Sequence, residues 1–223
     1  VFKDCGIGRD PPKGHQRINV HFVYAAKEDG RRKGRLVANG NMTEVPNESV
    51  YSGVVSLRSL RIVTLLAELN GLKLMSADIS SAYLTARTSE KVYCVGGAGF
   101  GPLEGHTLII VKALYGLRTS GARFHESFAD TLKAIGFSQC LADPDVWMRD
   151  AGDSWEYIGM YIDDVYAALK DPGELMRALR GPPFEYKVTG GDHPKYHLGG
   201  DIYRDPDGKL CWGAKTYIKR LCD

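Results

Sequence analysis

The chain has 223 residues, of which 43% are hydrophobic and 10% are aromatic. One large domain or two small ones can therefore bury a core without disulfides. The 29 Lys and Arg residues against 27 Asp and Glu residues give a net charge of +2. This balance excludes a strongly polycationic tail, but it does not exclude a local basic surface that binds nucleic acid.

The five cysteines are widely spaced and include no Cys-x-x-Cys pair, which argues against a zinc knuckle or a disulfide framework and favours a reducing, intracellular setting. No apolar run approaches the roughly 20 residues that a membrane helix requires. The first residues lack the apolar stretch of a signal peptide. Val1 in place of Met predicts that the chain is part of a longer protein.

The chain begins with residues 1–17, which are polar and rich in Gly and Pro, and this composition predicts a loop or an unpaired arm. Two apolar runs, 18–26 and 35–39, flank a charged turn over residues 27–34 and predict a hairpin. Hydrophobic spacing and turn residues predict the later elements. The first of these are a helix over 56–70, a strand and turn over 73–83, a loop over 95–105, a strand over 107–114 and a helix over 120–135. They are followed by strands over 145–150, 155–163 and 165–169, a short helix over 173–181, a hairpin over 194–204 and 209–213, and a helix over 215–223. Their order predicts an α+β fold in which an antiparallel sheet packs on helices.

Two adjacent carboxylates lie between apolar strands in the segment Tyr161-Ile162-Asp163-Asp164. Burying ionised carboxylates is costly unless a cation or a hydrogen-bond donor compensates. Adjacent residues of a regular strand point to opposite faces, so Asp163 and Asp164 reach one site only where the chain turns. A plain hairpin turn is the alternative interpretation, because Asp is favoured in turns.

A third acid, Asp78, directly follows an apolar strand, where it also suits a helix cap or a turn. If that strand lies beside the Asp163 hairpin, the three carboxylates form one cluster. Hard divalent cations prefer oxygen ligands. Two such ions about 4 Å apart can activate a 3′-hydroxyl and stabilise a pyrophosphate leaving group. A two-metal site is therefore predicted if these strands are neighbours, and the cap and turn interpretations hold if they are not.

Six blocks of sequence together resemble the copia-type (Pseudoviridae) retrotransposon reverse transcriptases, in that family's order and over roughly residues 12–223. These blocks are KGRLVANG, ADISSAYL, LYGLRTSGARF, ADPDVW, YIDD and YHLGGDI. YIDD alone is weakly specific, but six ordered blocks are strongly specific. The resemblance implies an RNA-directed DNA polymerase with two Mg²⁺ ions, for which Mn²⁺ can substitute.

The resemblance also implies a right-hand polymerase with palm and fingers. The implied segments are fingers over 1–72 and 86–119, palm over 73–85 and 120–204, and the start of a connection or thumb over 205–223. The implied partners are an RNA or DNA template with its primer, dNTP, and a larger polyprotein with integrase and ribonuclease H, but no membrane. The implied location is intracellular, in a cytoplasmic particle or the nucleus.

The resemblance assigns the acids distinct roles at the metal site. Asp78 and Asp163 would be the principal metal ligands, and Asp164 the supporting acid. Tyr83, five residues after Asp78, would lie under the incoming sugar and crowd its 2′-hydroxyl. An ordinary core aromatic is the alternative interpretation for this tyrosine.

The resemblance further implies a nucleotide-binding set. Lys33 and Arg35 share one strand face and would meet the triphosphate, although a solvated charge run is the alternative. Tyr115 and Gly116 would close over the nucleotide and the template base, and Gly116 permits close backbone approach. Lys187 would be the general acid that protonates pyrophosphate, although a surface lysine gives the same pattern.

The chain departs from the family where Thr119-Ser120-Gly121 replaces Gln-Ala-Pro and where Asn41-Met42-Thr43 replaces Phe-Thr-Gln. These changes bear on template positioning more than on catalysis. The change at residues 119–121, together with a thumb that the resemblance would place largely beyond this chain, motivates a second hypothesis, a catalytically inactive or domesticated remnant that binds nucleic acid. A two-metal nuclease is a third hypothesis, but a nuclease has no use for the nucleotide-binding set.

Overall fold

A computed structural model describes residues 1–26 and 30–222. Part of the predicted turn over residues 27–34, namely residues 27–29, and the last residue of the predicted final helix, Asp223, lie outside the described residues. The chain forms two compact units. Unit one comprises Val1–Ser52 and Ser81–Ala129, and unit two comprises Gly53–Ser80 and Asp130–Asp223.

The secondary structure of the described residues mixes short strands with four α-helices. The strands are β1 Phe2–Ile7, β2 Gln16–Arg17, β3 Val20–Ala26, β4 Arg32–Ala38, β5 Lys73–Ile79, β6 Val92–Val95, β7 His106–Ile110, β8 Ser138–Gln139, β9 Val146–Asp150, β10 Trp155–Tyr161, β11 Asp164–Leu169, β12 Val188–Asp192, β13 Tyr196–His197, β14 Gly200–Arg204 and β15 Leu210–Gly213. The helices are α1 Leu57–Leu69, α2 Ser120–Ala134, α3 Pro172–Arg180 and α4 Lys215–Cys222, and three 3₁₀ turns cover Gly40–Met42, Ala82–Thr85 and Ala98–Leu103. No helix in residues 1–26 and 30–222 is long and apolar enough to cross a membrane.

Unit one contains a four-stranded sheet in the order β1-β7-β6-β2 and a separate two-stranded ribbon of β3 and β4. Only the β2–β6 pair of this sheet is parallel. Its core is a cluster of buried aliphatic side chains from Ile18, Ala38, Val92, Ile110, Leu114 and Leu117. The predicted hairpin over 18–39 is confirmed by the β3–β4 pairing.

The prediction that residues 1–17 form a loop or unpaired arm is wrong. β1 pairs antiparallel with β7, and β2 pairs with β6. The Gly and Pro content of the segment concealed these pairings, because the partner strands lie far along the chain. A bulge between Asp4 and Ile7, with Gly6 at φ +99°, accommodates the glycine within the strand.

Unit two is built on a six-stranded sheet in the order β12-β5-β11-β10-β9-β8, with every neighbouring pair antiparallel. A three-stranded sheet, β13-β14-β15, completes the unit. Helix α1 contacts β5, β10 and β11, whereas α3 contacts β5, β11 and β12. These contacts confirm the predicted antiparallel sheet packed on helices.

Helix α1 begins where the sequence predicts. The Ser56 hydroxyl accepts a hydrogen bond from the Ser59 backbone N–H at 3.1 Å and so caps the first turn. The helix then packs closely on the sheet at Gly159, where an added Cβ would approach Leu60 Cδ2 to 2.8 Å. A buried hydrogen bond of 2.7 Å joins the hydroxyls of Thr64 and Tyr166 across the same interface.

Candidate active site

The acids Asp78 and Asp164 lie directly opposite each other on the neighbouring antiparallel strands β5 and β11. Residues that are directly opposite in an antiparallel pair present their side chains on the same face. The two carboxylates therefore share one face of the unit-two sheet, which we call the acid face. This pairing brings together two acids that are far apart in the sequence.

Asp163 reaches the same place because the chain turns there. Tyr161 pairs with Asp164 at the end of the β10–β11 hairpin, so Ile162 and Asp163 form a two-residue connection. The Asp163 carbonyl accepts a hydrogen bond of 2.9 Å from the backbone N–H of Ile79, which fixes the turn against the end of β5.

Ile162 has a φ of +56° in this turn. Two-residue hairpin connections favour residues that accept a positive φ, usually Gly, Asn or Asp. A β-branched residue in this conformation is strained by roughly 1–3 kcal/mol. The hydrogen bonds and the paired strands on either side hold the strained turn in place.

The three acids influence one another electrostatically. Burial, followed by the negative charges of Asp163 and Asp78, raises the pKa of Asp164 from 3.8 to about 6. Neighbouring negative charges disfavour ionisation of a carboxyl group, whereas a cation in the cluster would favour it.

Polar groups in β12 and directly beside the ends of β5 and β12 border the acid face. The Ser80 hydroxyl donates to Asp78 Oδ2 at 3.5 Å, and Thr189 lies opposite Asp78 on β12. The Ser80 backbone N–H donates to the Lys187 carbonyl at 2.8 Å, which extends the strand pairing by one position. Alternation along this pairing puts the exposed Lys187 on the same face as Thr189.

The donors present suit a hard divalent cation, because carboxylate oxygens are the ligands that Mg²⁺ prefers. After burial, the charges of Asp163 and Asp78 contribute to the raised pKa of Asp164, and a cation bound among these carboxylates would favour their ionised forms. Within the part of the chain that the structure describes, however, no three His, Cys, Asp or Glu side chains are arranged as a formed metal site. The acids thus fit the ion by charge and donor type, and their side chains would adjust around it.

The predicted nucleotide-binding residues lie in unit one, whereas Lys187, the predicted general acid, lies in unit two. The rings of Tyr83 and Tyr115 are in contact, with centroids 5.0 Å apart, and the Arg35 guanidinium lies 5.6 Å from the Tyr115 centroid. Tyr83 also contacts the buried Phe124 at 6.2 Å between centroids. Tyr83 is half-buried, so its ring both packs against this aromatic group and remains partly accessible.

Lys33 and Arg35 occupy one face of the β3–β4 ribbon, as their spacing predicts. They pair with Ala25 and Val23 respectively, and both are exposed. Arg32 alternates with them and therefore points to the opposite face. The structure brings Arg35 to Tyr115, whereas Lys33 lies two residues further along the exposed ribbon.

Gly116 meets the backbone of the ribbon too closely for any side chain. Its φ is +87°, and an added Cβ would lie 2.1 Å from the Ala38 carbonyl oxygen. The preceding carbonyl, of Tyr115, accepts a hydrogen bond of 2.7 Å from the Ala38 N–H. The glycine is therefore required by this contact, independently of any ligand.

The comparison with known families decides the assignment of the whole chain. Residues 9–218 match the family described as reverse transcriptase (RNA-dependent DNA polymerase). The chain belongs to the reverse transcriptase family. The resemblance predicted from the six sequence blocks is confirmed.

Relatives of this reverse transcriptase chain are retrotransposon polyproteins. It is 26% identical over 226 residues to the retrovirus-related Pol polyprotein from transposon TNT 1-94 of Nicotiana tabacum, covering 95% of this chain and 17% of that protein. It is 29% identical over 172 residues to the transposon Ty1-GR3 Gag-Pol polyprotein of Saccharomyces cerevisiae, covering 76% of this chain and 10% of that protein. The chain therefore spans only a small part of the length of these relatives.

A solved structure has the same fold as this reverse transcriptase chain. It is the foamy viral protease-reverse transcriptase in complex with double-stranded DNA, with a TM-score of 0.50 and 16% identity. The match covers 91% of this chain and 32% of the viral one. At this identity, the likeness supports the fold alone.

Sequence reasoning missed the neighbours that support the acids in this reverse transcriptase chain. The sequence alone assigned no role to Ser80 or Thr189, because only the strand register brings Thr189 beside Asp78 and the folded structure brings the Ser80 hydroxyl to that carboxylate. Ser80 lies two residues after Asp78, and this same-face spacing was the available signal. No comparable signal pointed to Thr189.

Replacing Asp164 with Asn tests the electrostatics of the cluster. The folded pKa of about 6 lies above the unfolded value of 3.8, so this group lowers stability above pH 6 and has no effect well below pH 4. Partial exposure limits the effect to roughly 1 kcal/mol. We expect Asp164→Asn to raise the Tm of the metal-free protein by about 2–4 °C at pH 7.5, a gain that shrinks towards zero by pH 3.5.

Asp171→Asn is the control, because its expected change in Tm has the opposite sign. Hydrogen bonds from Arg177 and then from the Gly173 backbone hold the pKa of Asp171 below its usual range. Its replacement therefore lowers the Tm at pH 7.5. Equal Tm values for Asp164→Asn and the parent at pH 7.5 would contradict the destabilising effect assigned to the ionised Asp164.

Proposed function

We propose that the chain is the catalytic core of a copia-type retrotransposon reverse transcriptase that adds nucleotides to a primer 3′-hydroxyl. The observation that carries this proposal is the register of β5 and β11, which sets Asp78 opposite Asp164, directly beside the turn that bears Asp163. Membership of the reverse transcriptase family over residues 9–218 supports the same reaction.

In this proposal the acids hold two Mg²⁺ ions, or Mn²⁺ in their place. Asp78 and Asp163 are the principal ligands, and Asp164 is the supporting acid. When bound, the ions supply activation of the primer 3′-hydroxyl and neutralisation of the charge on the leaving pyrophosphate. Lys187, on the acid face, serves as the general acid for pyrophosphate.

In this proposal the acid face of unit two belongs to the palm, and the β3–β4 ribbon of unit one belongs to the fingers. The segment boundaries implied by the resemblance, with palm over 73–85 and 120–204, stay a prediction. Lys33 and Arg35 bind the triphosphate of the incoming dNTP. Tyr115 and Gly116 close over the nucleotide and the template base, and the Tyr83 ring crowds the 2′ position of the sugar.

The partners in this proposal are a primer annealed to an RNA or DNA template and the rest of a polyprotein that includes integrase and ribonuclease H. The relatives are Pol and Gag-Pol polyproteins, and the fold neighbour is in complex with double-stranded DNA. These similarities support a nucleic-acid substrate and a polyprotein context.

The alternative of a decayed, inactive remnant rests on the changed block at residues 119–121. The replacement residues are well accommodated in the structure. The Thr119 N–H and hydroxyl both donate to Glu90 Oε1, at 2.9 and 2.8 Å, and the Ser120 hydroxyl donates to the Leu114 carbonyl at 2.7 Å. These bonds begin α2 without the family's proline, so the departure gives no sign of structural decay.

Asp163→Asn tests the polymerase directly. The change keeps the size of the side chain and removes the charge that a cation requires, so Mg²⁺-dependent primer extension by the purified protein should fall by about 10³-fold or more. Asp130→Asn, on the exposed surface of α2, is the control and should retain the parent rate. Equal extension by Asp163→Asn and the parent would refute the proposal. Primer-template binding without extension by the parent would favour the inactive remnant.

The ribbon supplies a second test, of nucleotide binding. Lys33→Ala and Arg35→Ala each remove a charge from the face assigned to the triphosphate, so each should raise the KM for dNTP by about tenfold, as expected for a loss of roughly 1.4 kcal/mol. Arg32→Ala removes the same type of charge from the opposite face and should change the KM less than twofold. If Arg32→Ala has the larger effect, the triphosphate assignment is wrong.

A further inference from the structure

One of the six sequence blocks, ADPDVW over residues 142–147, has no role in the site described above. Its first acid, Asp143, accepts three hydrogen bonds within unit two. Asp143 Oδ2 accepts from the Ser59 hydroxyl at 2.6 Å and from the Ser56 N–H at 3.2 Å, and Oδ1 accepts from the Asp145 N–H at 3.1 Å. One carboxylate therefore joins the start of α1 to the loop before β9.

The bonds to Asp143 favour its charged form. Burial alone would raise the pKa of this carboxyl group, but hydrogen bonds from the Ser59 hydroxyl and from the Ser56 and Asp145 backbones hold its pKa below the usual range. The Ser56 hydroxyl also donates to the Ser59 hydroxyl at 2.9 Å. The donors thus form a connected network that ends on the carboxylate, and such networks fix geometry more firmly than isolated bonds.

The two segments that Asp143 joins both bind the end of β10. The Met160 N–H donates to the Asp145 carbonyl at 3.0 Å, and the Met160 carbonyl accepts from the Val55 N–H at 2.7 Å. Met160 directly precedes Tyr161, the residue that pairs with Asp164 to close the acidic turn. The network around Asp143 is therefore two hydrogen-bond steps from the turn that carries Asp163.

The same two segments also touch through Gly53. A Cβ added to Gly53 would lie 2.2 Å from Asp145 Oδ2, so only glycine permits this approach. The Asp145 residue is 6% exposed. The close contact at Gly53 and the hydrogen bonds of Met160 therefore both restrain the end of β10, just before the strained Ile162.

We propose that Asp143 is a positioning residue for the hairpin of β10 and β11. It fixes residues 53–56 and 143–145 around Met160, and this sets the position and orientation of the turn that bears Asp163. The inference rests on the proposed polymerase function for its catalytic consequence. Asp143 itself binds neither substrate nor cation. A carboxylate suits this position because all three hydrogen bonds are donated to it and both of its oxygens are acceptors.

Asp143→Asn tests this role, since the amide replaces one acceptor oxygen with a donor that faces donors. Ser59→Ala is a milder second variant that removes only the shortest bond. Asp171→Asn is the matched control: Asp171 also caps a helix, α3, by accepting from the Gly173 N–H at 2.9 Å, but it does not bind the residues around Met160. Three quantities are measured on the purified protein: primer-extension kinetics, the Tm, and hydrogen exchange of individual backbone amides without metal.

We expect Asp143→Asn to lower kcat about tenfold, with a KM for dNTP within twofold of the parent value. The Val55 and Met160 amides should exchange at least tenfold faster in this variant. Ser59→Ala should give smaller changes in the same direction. Both Asp143→Asn and Asp171→Asn should lower the Tm, but Asp171→Asn should keep kcat within twofold of the parent value and leave the exchange of both amides unchanged.

The inference is overturned if Asp143→Asn keeps the parent kcat and the parent exchange at Val55 and Met160, or if Asp171→Asn reproduces both losses. If the parent protein does not extend primers, the proposed function fails and the catalytic consequence fails with it. The exchange measurement still decides, in that case, whether Asp143 holds the hairpin.

Discussion

The site in unit two depends on one strand pairing, β5 with β11 in the register that sets Asp78 opposite Asp164. A shift of one residue in this register would move Asp78 to the other face of the sheet. The hydrogen bond from Ile79 to the Asp163 carbonyl adds a second restraint at the same strand ends. The chemistry assigned to the acids therefore follows from backbone pairing, which the surrounding core makes rigid.

The acid cluster opposes folding, and its surroundings offset that cost. Burial and neighbouring charges disfavour the ionised form of Asp164, and Ile162 adds backbone strain. Stabilisation comes from the apolar contact of α1 with the sheet at Gly159 and from the buried Thr64–Tyr166 hydrogen bond. Strain and like charge at a site, held by a well-packed core, are typical of functional positions.

Much of this arrangement could be predicted from the sequence, because its determinants are local. The Ser56 cap and the leucine spacing of α1, the hairpin of β3 and β4, and the turn at Asp163 all depend on neighbouring residues. The determinants that could not be predicted are long-range. The pairing of β1 with β7 was concealed by a Gly- and Pro-rich composition, and the role of Asp143 depends on Ser56 and Ser59, which are distant in the chain.

The most direct test of the central claim is anomalous diffraction from crystals of the protein grown with Mn²⁺, a primer-template and dNTP. We expect two manganese peaks bound by the carboxylates of Asp78 and Asp163, and loss of both peaks in Asp78→Asn crystals. An absence of manganese at these carboxylates in the parent, or peaks of full strength in Asp78→Asn, would contradict that claim.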